Sequence, residues 1–335
     1  MVQRVEPVGE IVGNSVELKT AEWLIHKVSA SDATVLITGE SGTGKELIAR
    51  AIHTRSTRRR NPFVPVDCGA LCHQIMESEL FGHVRGAFTG ALSDKPGLVE
   101  SAEGGTLFLD EIGNLDLSPQ QKLLRFLECG EYRSLGGVQM RRANVRVIAA
   151  TNRNLRKEVQ EARFREDLFY RLNHFHVSLP PLRNRKSDIP LLIDHFLEKI
   201  CDRYQQPKPQ IDQAAMDTLV AHPWPGNIRE LAHAVEHMFL LADDLHLRAQ
   251  DLPEEIRKSA SDSDSKPTSV HQYREARKGA LEAFNAAFLS GALRRTLGNV
   301  TSAARQSGLR RQSFQELMKR HNIRSKDYRP TPPPI

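Results

Sequence analysis

Ala33-Thr34-Val35-Leu36-Ile37-Thr38-Gly39-Glu40-Ser41-Gly42-Thr43-Gly44-Lys45 is the stretch that decides the fold. Ala33 to Thr38 has the length and apolar character of a short buried strand, and it runs into a loop containing Gly39, Gly42 and Gly44. Glu46 to Thr54 then reads as the helix that leaves the loop. In a strand, glycine loop and helix of this kind, several backbone N–H groups point at one phosphate, and the helix dipole favours the anion. Lys45 adds a positive charge for the outer phosphates. Glu46 stands where a Ser or Thr normally ligates magnesium, which shifts the burden of holding a metal elsewhere.

Working outward, Gly105-Thr106-Leu107-Phe108-Leu109-Asp110-Glu111 reads as a second buried strand with two carboxylates at its end. Asp110 is placed to hold Mg2+ directly or through water. Glu111, one step beyond, is placed to polarise an attacking water. Val145 to Thr151 reads as a third strand, and Thr151-Asn152 at its end can contact the terminal phosphate or the water; taken alone, it would equally suit a turn. Phe164-Arg165-Glu166-Asp167-Leu168-Phe169-Tyr170-Arg171-Leu172 offers two arginines six apart. Either they reach a neighbouring subunit's site and neutralise transition-state charge, or they pair on the surface with Glu166 and Asp167.

Between the two halves of this nucleotide site lies Gly86-Ala87-Phe88-Thr89-Gly90-Ala91. Two glycines and two alanines around one aromatic and one hydroxyl make a poor core segment and a good loop tip for contacting something else. The 335 residues leave room for two or three domains, and 39% hydrophobic content suits a soluble core. No apolar run approaches the roughly 18 residues of a membrane span, and the first seven residues lack the apolar block of a secretory signal, so a cytoplasmic, membrane-free protein is expected. Cys68, Cys72, Cys129 and Cys201 have no metal-ligand spacing and read as buried free thiols.

Charge is unevenly distributed. From Gln272 onward thirteen Lys/Arg face four Asp/Glu, a net of +9, which leaves −3 for the rest of a chain whose total is +6. The basic end, not the body, is then the part suited to nucleic acid. Strand-like and helical patterns alternate from Ile11 to about Ala242, as in a parallel sheet covered by helices, and turn wholly helical from about Lys186 to Leu241. Arg257 to Pro267 is polar and Ser-rich and reads as a flexible linker. Beyond it, Gly298 to Leu309 and Arg310 to Arg320 read as two helices joined by a glycine turn. Phe314, Leu317 and Met318 face inward, and Arg310, Arg311, Gln312 and Gln315 remain to approach a major groove. A plain helical bundle with solvated arginines is the alternative.

Together these residues resemble the bacterial enhancer-binding proteins, the AAA+ activators of sigma-54 RNA polymerase, over roughly Gly9 to Leu241. The motifs that carry the resemblance are Gly39 to Glu46, Glu79-Leu80-Phe81-Gly82-His83, the hexapeptide 86–91, and Trp224-Pro225-Gly226-Asn227-Ile228-Arg229-Glu230-Leu231. In that family Glu46 after the lysine is ordinary, and the hexapeptide engages the sigma factor. The resemblance implies ATP and Mg2+, with Glu40, Ser41 and Thr43 in the phosphate loop. It implies Arg165 and Arg171 as trans-acting arginines, Arg229 as second sensor and Thr151-Asn152 as first sensor. Asp67 matches a position where many members carry an asparagine that restrains the catalytic glutamate; two carboxylates need a proton, ion or water between them to pair. The basic end resembles a Fis-like helix-turn-helix.

The expected architecture is therefore an α/β AAA+ P-loop ATPase followed by a small all-α domain. Residues 1–8 form a short extension, 9–185 the α/β subdomain, 186–256 a helical lid, 257–269 a linker, 270–325 the DNA-binding domain and 326–335 a disordered tail. The expected function is a ring, a hexamer in the family, that binds an upstream double-stranded DNA site and remodels the sigma-54 RNA polymerase holoenzyme. With too few residues before Gly9 for a receiver domain, input is expected from an inhibitory or regulatory protein partner or from expression level. The alternatives are an AAA+ remodeller of another target and a DNA-binding regulator with a vestigial ATPase.

Overall fold

The structure, a computed structural model, describes residues 11–69, 73–242 and 244–261, together with 288–294, 296, 299–308, 312, 314–315, 318, 323 and 325–328. It divides into two units, Met1–Ala260 and Ser261–Ile335.

In the first unit a five-stranded parallel sheet has the order β2-β3-β6-β1-β7. Its strands are β1 (Val35–Thr38), β2 (Phe63–Asp67), β3 (Thr106–Asp110), β6 (Arg146–Thr151) and β7 (Phe175–Ser178); β4 (Glu131–Tyr132) and β5 (Arg141–Arg142) form a separate hairpin. The three strands expected from apolar runs are the three central ones. Each is buried along almost its whole length, as a sheet covered on both faces requires. One face packs on α1 (Val16–Ser29) and α2 (Lys45–Thr54) through Ile25, Ile48, Ile52 and Ile148. The other packs on α3 (His73–Phe81), α4 (Leu98–Ser101), α5 (Leu117–Cys129), α6 (Leu155–Gln160) and α7 (Glu166–Leu172), around Leu80, Leu107, Leu123 and Leu168.

The lid contains α8 (Ile189–Tyr204), α9 (Gln213–Ala221), α10 (Asn227–Leu241) and α11 (Glu254–Ser261). It is not wholly helical: β8 (Gln210–Ile211) pairs in parallel with β9 (His246–Leu247). Pro207 and Pro209 stop α8 from continuing and hold the chain extended at that point. Trp224 is fully buried in the lid core and donates its indole N–H to the Leu219 carbonyl at 2.8 Å. Trp224→Ala is expected to destabilise the lid by about 3–5 kcal/mol. Calorimetry should show a transition at much lower temperature, and an unchanged thermogram would contradict this core.

Two expected boundaries move. Residues 257–261, assigned to the linker, belong to α11, because Lys258 pairs with Glu254 at 2.6 Å one turn away and Ile256 is buried against the lid core. In the second unit, Ser325–Tyr328 forms a 3₁₀ turn, so order extends past residue 326. The Tyr328 ring packs on the small core and its hydroxyl donates to Ser290 Oγ at 3.0 Å. That core gathers Leu289, Leu293, Ala303, Ala304, Phe314 and Met318. Asn299 caps the helix Val300–Gln306 by accepting from Thr301 N and Ser302 N, and Gly308 follows with φ of 66°. Among the cysteines, Cys68 and Cys201 are buried; Cys129 is exposed, since it ends α5 at the surface. Cys72 lies outside the described residues.

Candidate functional site

Parallel strands β1, β3 and β6 deliver their C-terminal ends side by side, and the polar residues of the site follow those ends. After β1 the loop curls: Thr43 N and Thr43 Oγ1 both donate to the Glu40 carbonyl, at 3.4 and 2.8 Å. Gly42 and Gly44 have φ of 77° and 99°, where any side chain would be strained. A Cβ on Gly42 would also run into the Gly226 carbonyl of the lid. Gly44 is the N-cap of α2 and supplies no side-chain cap, so the first-turn N–H groups remain available to an anion.

Lys45 is buried and its Nζ lies 3.2 Å from the Gly39 carbonyl and 3.3 Å from Glu111 Oε1. Glu111 itself sits at φ 51° and accepts from the Asn152 backbone N–H at 3.2 Å through Oε2. Gly39 N donates to the Thr151 carbonyl, and Thr151 Oγ1 accepts from Arg153 N, which ties the loop to the end of β6. The Glu111 carboxylate is therefore restrained by Lys45 and by the Asn152 backbone. Asp67 stands beside Asp110 in register, and its Oδ1 accepts from Gly69 N at 2.7 Å. Burial, with the charges of Glu111 and Asp67 behind it, raises the Asp110 pKa against the opposing pull of Lys45.

Glu46 is exposed, its carboxylate taken by Arg50 at 2.7 Å one turn along α2. Arg229 donates to Ser41 Oγ at 3.1 Å and so does lie at the loop. Beside Thr43 and Gly44, the chain entering at Ile11-Val12 and the lid residues Leu192, Phe196 and Ile228 line an apolar crevice suited to a flat ring. Among the described residues no group of three His, Cys, Asp or Glu side chains is arranged to hold a metal ion by itself. A cation here would need ligands from a polyphosphate and water besides Asp110.

The two arginines are not brought to this site. Arg165 pairs in bidentate fashion with Asp167, at 3.1 and 2.7 Å. Arg171 donates to the Leu127 carbonyl and lines a cavity of about 320 Å³ with Asp32, Thr34 and Asn144, residues that precede β1 and β6. It thus sits at the opposite end of the sheet, at least a four-residue strand or roughly 13 Å from its own phosphate loop. Gln312 and Gln315 are helical and exposed in the second unit; Arg310 and Arg311 lie outside the described residues.

The hexapeptide leaves the body on a hairpin closed by an antiparallel bridge between His83 and Lys95. Gly86 and Gly90, at φ 83° and 106°, have open space around them, and Phe88 is 44% exposed with its ring edge-on to His83. Ala91 is buried, and Ala87 is half-buried against Gly136. Val84 N donates to the Leu135 carbonyl and Leu135 N to that of Gly82, so the loop base rests on the β4–β5 hairpin at the end of α5. Since α5 begins just after Asp110-Glu111, one continuous segment joins the carboxylates to the base of the exposed loop.

Comparison with known proteins agrees with this geometry. Residues 11–178 match the sigma-54 interaction domain and residues 183–269 the AAA+ ATPase lid domain. The chain belongs to the sigma-54 enhancer-binding proteins. It is 43% identical over 315 residues to the regulatory protein AtoC of Escherichia coli, covering 94% of this chain and 68% of AtoC. It is 41% identical over 328 residues to the nitrogen fixation protein VnfA of Azotobacter vinelandii, covering 98% of this chain and 61% of VnfA. Among solved structures it resembles NtrX from Brucella abortus in complex with ATP, with a TM-score of 0.71, 35% identity, and 94% and 70% of the two chains covered. The lid match continues to residue 269, past the boundary expected at 256. No helix among the described residues is long and apolar enough to cross a membrane.

What sequence reasoning missed in this enhancer-binding protein is the set of lid residues holding the loop. Arg183 forms a bidentate pair with Glu40 at 2.6 and 2.7 Å, which lowers the Glu40 pKa to about 2, with a further contribution from Asn227. Asn227 stands two residues before Arg229 in the Trp224–Leu231 motif, the one signal that pointed to it. Asp188 is a second fastening: it accepts from Asn14 N, Ser15 N and Ser15 Oγ and pins the entering chain to the lid.

Proposed function

We propose that this protein hydrolyses ATP in a self-assembled ring, a hexamer by analogy with the family, and uses the energy to remodel the sigma-54 RNA polymerase closed complex in the cytoplasm. The observation that carries the reading is the hexapeptide 86–91, exposed on a hairpin whose base connects through α5 to Asp110-Glu111. In it the loop 39–45 cradles the phosphates and Lys45 neutralises the outer ones. Mg2+ bound at Asp110 would supply charge neutralisation, and Glu111 accepts the proton of the attacking water. Lys45, now shared with Glu111, is drawn to the phosphates when ATP enters, leaving the carboxylate free to act. Transcript synthesis by purified sigma-54 holoenzyme tests this reading: transcripts are expected with ATP and none with a non-hydrolysable analogue.

Arg171, remote from its own loop, supports a site completed by a neighbour, and Arg165, at the other end of α7, is assigned to the same neighbouring site. Arg171→Ala is expected to lower turnover by on the order of 10³. Mixing it with Lys45→Ala subunits should restore turnover that neither has alone, since one supplies the loop and the other the arginine. No gain on mixing would place both groups in one chain.

The basic second unit, with Gln312 and Gln315 exposed and Arg310 and Arg311 beside them in sequence, is assigned to an upstream DNA site. Ending the chain after Ser261 leaves α11 intact, so ATPase activity is expected to persist. Site-specific DNA binding should be lost with the +9 segment, and activation should survive only at high protein concentration. Footprinting decides: the intact chain should protect a site with steep salt dependence, and equal protection by the truncated chain would overturn the assignment.

A further inference from the structure

Four consecutive residues of the phosphate loop are each held from the lid. Glu40 is held by Arg183 and Asn227, and the Ser41 carbonyl by Asn227 Nδ2 at 3.0 Å. The Gly42 carbonyl accepts from Ile228 N at 2.9 Å, and that of Thr43 from Arg185, itself buried, at 3.2 Å. Asn227 is the centre of this set. It is fully buried, its φ of 54° lies in the left-handed region that asparagine tolerates, and its side chain is used at both ends. Its Oδ1 accepts from Leu182 N at 2.8 Å while its Nδ2 reaches Glu40 Oε2 at 3.2 Å and the Ser41 carbonyl. The amide thus joins the segment entering the lid, the first turn of α10 and the loop. The peptides it fixes are the same ones whose N–H groups would receive phosphate, so the cradle has its shape only while the lid is in place.

We propose that Asn227 is a positioning residue that locks the phosphate loop to the lid, so that nucleotide affinity is set by the lid's position and not by the loop alone. The proposal rests on the nucleotide reading above and assigns to Asn227 a role separate from the direct contact of Arg229.

Asn227→Asp tests it, because aspartate keeps the shape, the left-handed backbone and the acceptor for Leu182 N. It removes the donor and sets a carboxylate against that of Glu40. Binding of a fluorescent ATP analogue, and of its ADP counterpart, by the full chain is expected to weaken at least about tenfold, the effect of losing one hydrogen bond to a charged group. KM should rise more than kcat falls. Combining it with Glu40→Gln removes the repulsion between the two carboxylates, while Arg183 loses its charged partner and the Ser41 carbonyl still lacks its donor, so affinity should recover in part, by at least about threefold over Asn227→Asp alone. A residue that merely supports the fold would show no such rescue. Arg183→Ala, a change at an exposed position, cuts the same link without risk to folding and should raise KM in the same direction. Wild-type affinity in both Asn227→Asp and Arg183→Ala, or no recovery in the double variant, would overturn the proposal. Failure of the unmodified chain to bind the analogue would instead defeat the nucleotide reading on which it rests.

Discussion

Glu111→Gln is expected to bind ATP within a few-fold of wild type and to hydrolyse it 10²–10⁴ times more slowly, the usual cost of losing a general base. The two side chains have the same shape, so the backbone at φ 51° and the contact with Asn152 N can persist. The phosphate loop is untouched, since its folding depends on Gly42, Gly44 and the lid. Lys45→Ala is the contrasting change: it removes the buried ammonium beside the loop carbonyls and should lose binding itself. Equilibrium binding and single-turnover phosphate release, measured on both variants, separate the two roles. Turnover by Glu111→Gln within about threefold of wild type would remove Glu111 from the chemistry.

Thr89→Ala is expected to separate hydrolysis from work. Thr89 is exposed at a loop tip where a side chain at Gly86 or Gly90 would meet open space, and none of the hydrogen bonds described at the phosphate site involves it. ATPase activity should stay within about twofold, as for surface changes away from a site, while activated transcription falls to background. Leu92, next to the hexapeptide, is 87% exposed, so apolar surface adjoins the same tip. An alanine variant that activates normally would transfer the output to another surface.

Sequence made the centre of this fold legible and its margins less so. Strands β1, β3 and β6 announce themselves because burial on both faces leaves unbroken apolar runs. Phe63–Asp67 and Phe175–Ser178 were not foreseen as strands. They are the two edges of the sheet, each with one fully buried residue, and Pro65 is tolerated in the first for that reason. The loop 39–45, Asp110-Glu111 and Thr151-Asn152 were legible because each is a local motif at a strand end. The link between Glu40 and Arg183, 143 residues apart, and that between Glu40 and Asn227, 187 apart, have no local signature. Charge pattern misled at α11, where polarity suggested a linker but one ion pair and buried Ile256 hold a helix turn by turn. The same blindness to packing assigned exposed Cys129 to the interior.

The most direct test of the central claim is promoter melting measured beside phosphate release in one reaction. Purified sigma-54 polymerase on a supercoiled promoter is combined with wild type, Glu111→Gln or Thr89→Ala, with and without ATP. Wild type with ATP should give both signals, Thr89→Ala phosphate without melting, and Glu111→Gln neither. Melting by wild type without ATP, or by Thr89→Ala at the wild-type level, would contradict an account in which hydrolysis at Glu111 is delivered to polymerase through the hexapeptide loop.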